Sequence, residues 1–516
     1  MQHTLQIKLL PAEAADERTI REYASRSIGC PLHSITGFNL IKRSIDARSR
    51  QPHIILTIHV FVDEPYHKST FDRSHFPDVS KAEKKVVIIG AGPAGLFAAF
   101  KLIENGIQPI LLERGKDVRS RRRDLAALNK EGILNEDSNY CFGEGGAGTY
   151  SDGKLYTRSS KRGDIDAILR RFVQFGADDN ILIDAHPHIG TNKLPLIIQA
   201  MRKQIVDCGG LFLFEKKVVD FLLHDNRVKH VLTSDGNIFE ADAFILATGH
   251  SARDVFHLLH QKKILIEAKP FALGVRIEHP QQLIDGIQYH GQDPFLPPAS
   301  YSLVQQVDHG GVFSFCMCPG GIIAPASTAA GELVVNGWSP SKRNNPFANS
   351  GIVVTVEQDD MKAYHQHGPL AAMYLQQDVE RKAFTAGGGK FVAPAQRMAD
   401  FVSKKVSASL PSCSYLPGVH STDLSQVLPS FIHNSLRQAF PLFGQKMKGY
   451  FTNEAVLVAT ESRTSSPVRI PRDPKTLRHP QIANLFPCGE GAGYAGGIVS
   501  AAMDGERVAV AYSHPG

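Results

Sequence analysis

Two cysteines separated by one residue, Cys316 and Cys318, have the type and the spacing to do chemistry. They follow an apolar, strand-like segment at 312–315 and precede a Pro-Gly-Gly turn at 319–321. Two thiols this close can act as a redox pair, bind a soft metal, or supply one nucleophile. Because alternate residues of a strand share a face, we expect both thiols to reach one site. The alternative is simple packing, since free cysteine is among the most buried residue types.

Three ionisable residues elsewhere are further catalytic candidates. His250 follows the end of an apolar strand, and ligands of open α/β sheets bind beyond such strand ends. Arg276 and Glu278 are two residues apart, so in a strand they lie on the same face. A catalytic role and a structural ion pair on the sheet both fit this pattern. The sequence shows no Cys–His cluster with the spacing of metal ligands, so we expect no metal.

The elements that must position these residues begin with a glycine-rich turn, Gly-Ala-Gly-Pro-Ala-Gly at 90–95, between a strand and a helix. In this pattern the first glycine makes the turn, the second lets a pyrophosphate approach, and the third packs helix on sheet. The helix N-terminus offers free N–H groups to phosphates. An acid that binds ribose hydroxyls is expected ~20 residues later, near Glu113. The cofactor-binding residues predicted here are Gly90, Gly92, Pro93, Ala94, Gly95, Glu113 and Arg114.

Three later segments extend the predicted cofactor site along the chain. A glycine-dense loop covers 142–154, a strand at 243–247 precedes a second turn, and the segment 484–509 runs from strand through glycine-rich turn to helix. Glycines let backbone approach a ligand closely, and the last helix could stabilise the negative charge of a reduced flavin. A site built from segments so far apart suits FAD better than NAD. The residues predicted here are Gly145, Gly146, Ala147, Ser151, Asp152, Gly153, Lys154, Val218, Ala247, Thr248, Gly249, Gly489, Glu490, Gly496, Gly497 and Ile498.

Several long motifs resemble the large bacterial FAD-dependent dehydrogenases, mostly uncharacterised, of the glutathione-reductase-like superfamily. They are KRSIDAR at 42–48, FGEGGAGTYSDGKL at 142–155, GHSARD at 249–254, GVRIEHP at 274–280, ESRTSSPVRI at 461–470 and GEGAGYAGGI at 489–498. The resemblance spans nearly the whole chain. It implies non-covalent FAD and carries over no substrate. Glu490 stands where many superfamily members have Asp, a shorter acid with the same chemistry.

The fold class expected from pattern and resemblance is α/β. A glutathione-reductase-like FAD-binding Rossmann domain would carry an inserted substrate or cap domain and a small N-terminal α+β module. We place the N-terminal module at 1–80 and the first part of the FAD-binding domain at 81–262. The substrate or cap domain would cover 263–445, and the C-terminal part of the FAD-binding domain 446–516.

The composition and the absence of certain motifs argue against some classes of function. The net charge of +6 over 516 residues is a mild excess, which makes nucleic acid an improbable partner. No signal peptide and no membrane-spanning run is seen, so we expect a cytoplasmic protein with reduced thiols. No second dinucleotide motif follows a strand, which argues against a dedicated NAD(P)H domain. NAD(P)H stays open as a transient reductant, and the oligomeric state is not indicated.

Three functions from different classes follow. The leading one is an FAD-dependent oxidoreductase that moves a hydride or electrons to or from a small organic substrate. The second is an RNA-modifying flavoenzyme that uses the N-terminal module to contact RNA. The third is a non-catalytic binding protein that uses a flavin-binding fold as a scaffold.

Overall fold

The computed structural model describes residues 1–157 and 162–514, which form an N-terminal module and two larger domains. In those ranges, no helix is both long and apolar enough to span a bilayer.

The N-terminal module is a three-stranded antiparallel sheet in which the third strand lies between the first two. Its longer helix begins at an N-cap, Asp16, whose carboxylate accepts from the Thr19 amide at 3.0 Å, and ends at Gly29 with φ 78°. Apolar residues of this helix pack on one face of the sheet. The strands are Gln2–Leu9, Ile35–Asp46 and His53–Val62, and the helices are Pro11–Ala14 and Glu17–Ile28, with a 3₁₀ turn at Leu32–Ser34.

The module is attached to the rest of the chain through Arg43. Its backbone N–H donates to the carbonyl of Ile183 at 2.8 Å, and its guanidinium pairs with Asp184 at 2.7 Å. The chain that follows the module runs without regular structure to residue 84. Val79 in this segment is 2% exposed and lies in the core of the next domain. The next domain therefore begins slightly before the predicted boundary at 80/81. The polar composition of this segment gave no sign that Val79 is buried.

The next domain, called here the parallel-sheet domain, is built on five parallel strands. The three central strands are mainly apolar and buried on both faces, as parallel sheets require. Their order across the sheet is Leu485–Pro487, Ala243–Leu246, Lys85–Ile89, Gln108–Leu112 and Leu211–Leu213. The helices around it are Pro93–Glu104, Val118–Glu131, Ile165–Gln174, Leu194–Asp207, Arg253–Gln261 and Ile498–Ser513, with 3₁₀ turns at Gly146–Gly148 and Asp179–Leu182. An antiparallel sheet of Val218–His224, Arg227–Thr233 and Ile238–Glu240 completes the domain.

The second domain is built on a seven-stranded mixed sheet. Its order is Val304–Gln306, Gly311–Cys318, Phe347–Val356, Phe271–Pro280, Val456–Glu461, Ala393–Arg397 and Val419–Ser421. Two small sheets pair Ile322–Pro325 with Val335–Trp338 and Glu267–Ala268 with Val468–Arg469. The helices are Gln281–Tyr289, Ala371–Ala386, Met398–Val402 and Ser430–Lys446, with 3₁₀ segments at Gln358–Leu370 and Leu424–Gln426.

The strand Val456–Glu461 corrects the predicted boundary at 445/446. It pairs with Phe271–Pro280 and Ala393–Arg397 inside the seven-stranded sheet, and all six of its residues are buried. A short apolar strand does not reveal in sequence which sheet it joins. The second domain therefore continues past residue 445, and the chain returns to the parallel-sheet domain only afterwards.

Candidate functional site

A cleft of about 390 Å³ lies where the parallel-sheet domain meets the second domain. Its floor is the set of turns that follow the strands Lys85–Ile89, Gln108–Leu112 and Ala243–Leu246, at their carboxyl ends. Ligands of open α/β sheets bind in this position. The second domain covers the cleft with Phe315, Cys316, Asn336, Arg463 and Thr464.

The first turn leaves space for a ligand directly above Gly92. A Cβ added there would meet no atom closer than the Cα of Gly146 at 3.9 Å. Gly92 is also the N-cap of the helix Pro93–Glu104, whose first N–H groups have no partner within the helix. An anionic group such as a pyrophosphate therefore fits this turn.

Glu113 holds the walls of the cleft together through its carboxylate. The two oxygens accept hydrogen bonds from the backbone amides of Ala91 at 3.0 Å, Gly115 at 2.9 Å and Gly143 at 2.9 Å. The side chain lines the cleft and is only 4% exposed. Glu113 thus joins the first turn to the glycine-dense loop, a role that the sequence did not suggest beside its predicted role at a ribose.

The glycine-dense loop is also fixed by a buried arginine that sequence reasoning missed. Arg121 is fully buried, and its guanidinium donates to the carbonyls of Asn139, Tyr140, Glu144 and Gly146 at 2.8–3.0 Å. These four hydrogen bonds fix the backbone of the loop and of the segment before it. In sequence, Arg121 was one of four arginines in a basic helical run, and nothing marked it out.

Arg114 lines the cleft but is held by acidic side chains rather than left free for a phosphate. It bonds Asp137 at 2.6 Å and Asp254 at 2.9 Å, and it lies over the ring of Phe142. Lys217, a cleft residue not predicted, pairs with Asp137 at 3.0 Å. This end of the cleft therefore carries a network of alternating charges.

Most of the predicted cofactor residues line this one cleft. They are Gly90, Gly92, Pro93, Ala94, Glu113, Arg114, Gly146, Ala147, Ser151, Asp152, Gly153, Lys154, Val218, Ala247, Thr248, Gly249, Glu490, Gly496, Gly497 and Ile498.

Gly95, Gly145 and Gly489 lie outside the lining and serve the backbone instead. A Cβ on Gly95 would lie 2.0 Å from the carbonyl oxygen of Gly90, so this glycine lets the helix pack on the turn. Gly145 has φ 78° beside Thr149. The amide of Gly489 donates to Asp504 at 2.7 Å.

Asp152 and Lys154 tie the glycine-dense loop to the second domain. Asp152 pairs with Arg343 at 2.9 Å, and this pairing together with Lys154 lowers the pKa of its carboxyl against the effect of burial. Its other oxygen is buried without a partner in the described structure. The ammonium of Lys154 donates to the carbonyl of Met317. Both side chains thus serve the junction between the domains as well as the cleft.

Glu490 faces the cleft on the return segment. Burial raises the pKa of its carboxyl to about 7, although Lys269 acts in the opposite direction. A carboxyl with this pKa can both donate and accept hydrogen bonds near neutral pH.

His250 also lines the cleft, next to Ser251. Its Nδ1 lies 2.9 Å from the Ser251 hydroxyl, which in turn donates to the sulfur of Cys141 at 3.4 Å. Burial, followed by the charges of Arg463 and Arg253, lowers the pKa of the imidazole to about 4. His250 is therefore neutral at physiological pH, with one ring nitrogen that can donate and one that can accept a hydrogen bond.

We expect the protein to lose stability relative to a His250→Gln variant as the pH falls from about 6.5 towards 4. The pKa of His250 lies below its usual 6.5 in the folded protein, so in this window the unfolded chain binds more protons. Urea denaturation at pH 7 and pH 4.5 should reveal a difference on the order of 2 kcal/mol after allowance for partial exposure. Parallel pH profiles for the two proteins would contradict a buried, neutral imidazole.

The structure corrects the expectation that Cys316 and Cys318 lie in a regular strand. Cys316 has φ 48°, and the strand pairing is interrupted between Phe315 and Cys318. Cys316 lines the cleft, whereas Cys318 is fully buried behind it. The two residues nevertheless remain in contact, because the Cys318 thiol donates to the backbone carbonyl of Cys316 at 3.3 Å.

Arg276 and Glu278 do not line the cleft and do not pair with each other. Arg276 is fully buried and pairs with Glu461 at 2.7 Å. Glu278 accepts from the backbone amide and the hydroxyl of Ser414. Each side chain pairs with a residue from another segment. The spacing of two residues within one strand gives no information about such partners. Neither residue lines the cleft, and a catalytic role for them stays a prediction.

Arg463 belongs to a buried ionic cluster that crosses the domain junction. Glu380, which is fully buried, bonds Arg253 at 2.8 Å and Arg463 at 2.9 Å, and Glu332 bonds Arg253 at 2.9 Å. The two arginines lower the pKa of Glu380 despite its burial. Arg463 and Thr464 escaped the sequence prediction, although the ESRTSSPVRI motif that holds them was part of the resemblance.

Models of known families match several parts of the chain. Residues 270–464 match "FAD-dependent protein, C-terminal domain-like", and residues 83–126 match "FAD binding domain". Residues 195–281 match "Glucose inhibited division protein A", and residues 1–61 match a domain of unknown function. The first match ends just after the strand Val456–Glu461, in agreement with the corrected domain boundary.

One relative matches over the full length, and solved structures match more remotely. An uncharacterized protein of Clostridium beijerinckii (strain ATCC 51743 / NCIMB 8052) is 37% identical over 96% of this chain and 95% of its own. Glycine oxidase from Bacillus cereus ATCC 14579 is 12% identical, with a TM-score of 0.31 over 83% of this chain and 94% of that chain. CtdE in complex with FAD and a substrate is 11% identical, with a TM-score of 0.34 over 83% and 80%. Scores this low carry no argument about activity.

The expected α/β fold with a Rossmann-type FAD-binding domain is confirmed, and so is FAD as the cofactor. Sequence identity over the whole length, together with the FAD-dependent family models, settles the assignment. The chain belongs to an uncharacterised family of FAD-dependent oxidoreductases.

Proposed function

We propose that the protein transfers a hydride or electrons between non-covalently bound FAD and a small organic substrate. The observation that carries this proposal is the cleft itself. Its floor is the dinucleotide turn of the parallel-sheet domain, and its cover is a second domain that brings Cys316, Asn336 and Arg463 to the same space. A cofactor site covered by residues of a separate domain favours a substrate that enters between them.

The residues on the floor fit the non-reacting part of FAD. Gly92 and the N-terminus of the helix Pro93–Glu104 would hold the pyrophosphate, and Glu113 would accept from the ribose. The helix Ile498–Ser513 starts at the other end of the cleft, with Gly496, Gly497 and Ile498 in the lining. Its positive N-terminal end would favour negative charge on a reduced cofactor.

The isoalloxazine ring of bound FAD supplies the hydride or electron chemistry. The chain supplies orientation. His250 is uncharged at neutral pH, so its ring nitrogens can donate one hydrogen bond and accept another. Arg463 is already paired with Glu380, so it would orient a substrate as part of this ion pair and not as a free cation. Cys316 and Cys141 each bring a free thiol to the same space.

The first test is the identity of the cofactor and its reduction. Purified protein should be yellow and release FAD, not FMN, on heat denaturation. Under anaerobic conditions, NADH or NADPH should bleach the flavin absorbance, and small organic acceptors are then screened for its return. If dithionite reduces the flavin but NADH and NADPH do not, NAD(P)H is removed from the proposal. A colourless protein that takes up no FAD would favour the non-catalytic alternative and sink the enzyme proposal.

A second test separates the substrate classes. We expect a small organic acceptor to reoxidise the reduced flavin faster than oxygen alone. The competing RNA-modifying hypothesis predicts instead that purified protein retains RNA and shifts it in a salt-sensitive gel assay. A clear RNA shift at physiological salt, with no small acceptor found, would overturn the proposed substrate class.

A further inference from the structure

Cys316 occupies a backbone conformation that L-residues rarely adopt. Its φ of 48° interrupts the strand pairing just where the second domain covers the cleft. Positive φ at a non-glycine residue is uncommon, and such residues concentrate at functional sites. The turn brings the Cys316 side chain into the cleft lining instead of leaving it within the sheet.

Two cations lie close to the backbone of this turn. Arg276 donates to the carbonyl of Cys316 at 2.6 Å, and its guanidinium lies 3.5 Å from the sulfur of Cys318. Lys154 donates to the carbonyl of Met317 between the two cysteines. Positive charge beside a thiol favours the thiolate, which is the reactive form.

Cys318 stands directly behind Cys316. Its thiol donates a hydrogen bond to the backbone carbonyl of Cys316 at 3.3 Å. The neighbouring Cys318, Lys154 and Arg276 lower the pKa of the Cys316 thiol despite its burial, whereas the neighbouring Cys316 and burial raise the pKa of the Cys318 thiol. The pair therefore consists of one thiolate open to the cleft and one protonated thiol behind it.

We propose that Cys316 is an oxidation site for peroxides and that Cys318 is its resolving thiol. Oxidant-sensitive cysteines combine thiolate character, access and a neighbouring second thiol, and this pair combines all three. The proposal does not depend on which substrate the flavin oxidises or reduces.

The chemistry balances with hydrogen peroxide as the oxidant. The Cys316 sulfur attacks one peroxide oxygen, the O–O bond breaks, and the leaving hydroxide takes a proton to form water. This step produces a sulfenic acid. The Cys318 sulfur then attacks the Cys316 sulfur, the S–O bond breaks, and the leaving hydroxide takes the Cys318 proton. A disulfide and a second water result, so two thiols lose two electrons and the peroxide gains them.

The disulfide would close a small ring across one residue. Such a bond is strained, and strained disulfides are the readily reduced ones. Oxidation at this site should therefore be reversible by a small dithiol reductant, and over-oxidation of Cys316 should be limited as long as Cys318 is present.

The test uses the FAD-loaded protein and peptide mapping by mass spectrometry. After a small excess of hydrogen peroxide, we expect a Cys316–Cys318 disulfide that a dithiol reductant removes. In a Cys318→Ser variant, dimedone should trap a sulfenic acid on Cys316, and in a Cys316→Ser variant Cys318 should stay a thiol. Cys141 lines the same cleft and is the matched control for access, so it should remain reduced at the same dose.

Iodoacetamide labelling at pH 6 provides a measurement on the unaltered protein. Cys316 should react at least ~10-fold faster than Cys141, because only the thiolate is alkylated. Retained flavin colour checks the fold of each variant, and the wild-type measurements stand if a variant fails to fold. Equal labelling of Cys316 and Cys141, or peroxide treatment that leaves both thiols of the pair intact until unfolding, would overturn the proposal.

Discussion

Gly92→Val is expected to give a folded but colourless protein. The backbone of Gly92 has φ −75° and ψ −175°, which any residue can adopt, and a Cβ there meets nothing closer than 3.9 Å. The side chain would instead fill the space that a pyrophosphate needs. Loss of charge-assisted hydrogen bonds, each about 1.5–3 kcal/mol, should weaken FAD binding on the order of 100-fold or more. The ratio of flavin to protein absorbance after purification measures the effect.

Two comparisons sharpen this experiment. In Gly90→Ala the new Cβ would lie 2.4 Å from the carbonyl oxygen of Ala247, at φ 106°, so that variant should lose its fold together with its colour. Gly286→Val changes an exposed helical glycine with open space around it, and it should stay yellow. Wild-type FAD affinity in Gly92→Val would show that the pyrophosphate lies elsewhere.

Glu380→Ala should destabilise the protein strongly. The carboxylate bonds Arg253, Arg463 and the hydroxyl of Ser462, and it has no exposed surface. Its removal leaves two buried guanidinium groups short of a partner, which costs about 3–5 kcal/mol for a buried pair. A lower urea midpoint in unfolding followed by circular dichroism measures the loss.

Arg381→Ala is the matched control for this prediction. Arg381 lies one residue further along the same helix and pairs with Glu332 of the cluster at 3.6 Å, but its side chain is 63% exposed. Exposed pairs contribute about 0–1 kcal/mol, so the midpoint should barely move. A large shift in Arg381→Ala, or a negligible one in Glu380→Ala, would contradict the account of the cluster as a buried junction.

The glycine-rich turns of the cleft were predictable because their requirements are local. Gly90 and Gly95 avoid clashes within one turn, Gly92 leaves room for a ligand, and the pattern is visible within six residues of sequence. The return segment with Glu490 and Gly496 was found for the same reason. Its strand and turn repeat the pattern, and the structure places both beside the first turn.

The rest of the site depends on contacts that sequence spacing does not encode. Arg276 pairs with Glu461 rather than with Glu278, and Arg121 bonds four carbonyls of a distant loop. The break in strand alternation at Cys316 was not predicted, because a cysteine in the sequence gives no sign of a positive φ. The sheet to which Val456–Glu461 belongs was not predicted, because the sequence of a buried strand does not indicate its neighbouring strands.

The order of strands in the parallel sheet has a consequence for co-translational folding. Leu485–Pro487 forms one edge of the sheet beside Ala243–Leu246, although more than two hundred residues separate the two strands along the chain. The last wall of the cleft, at Glu490 to Ile498, is translated later still. A nascent chain that has already folded its first turn therefore offers only half a binding site. We therefore expect cofactor loading to be a late event, and a chain interrupted before residue 485 to have an exposed sheet edge and to lack the part of the cleft that Glu490 to Ile498 line.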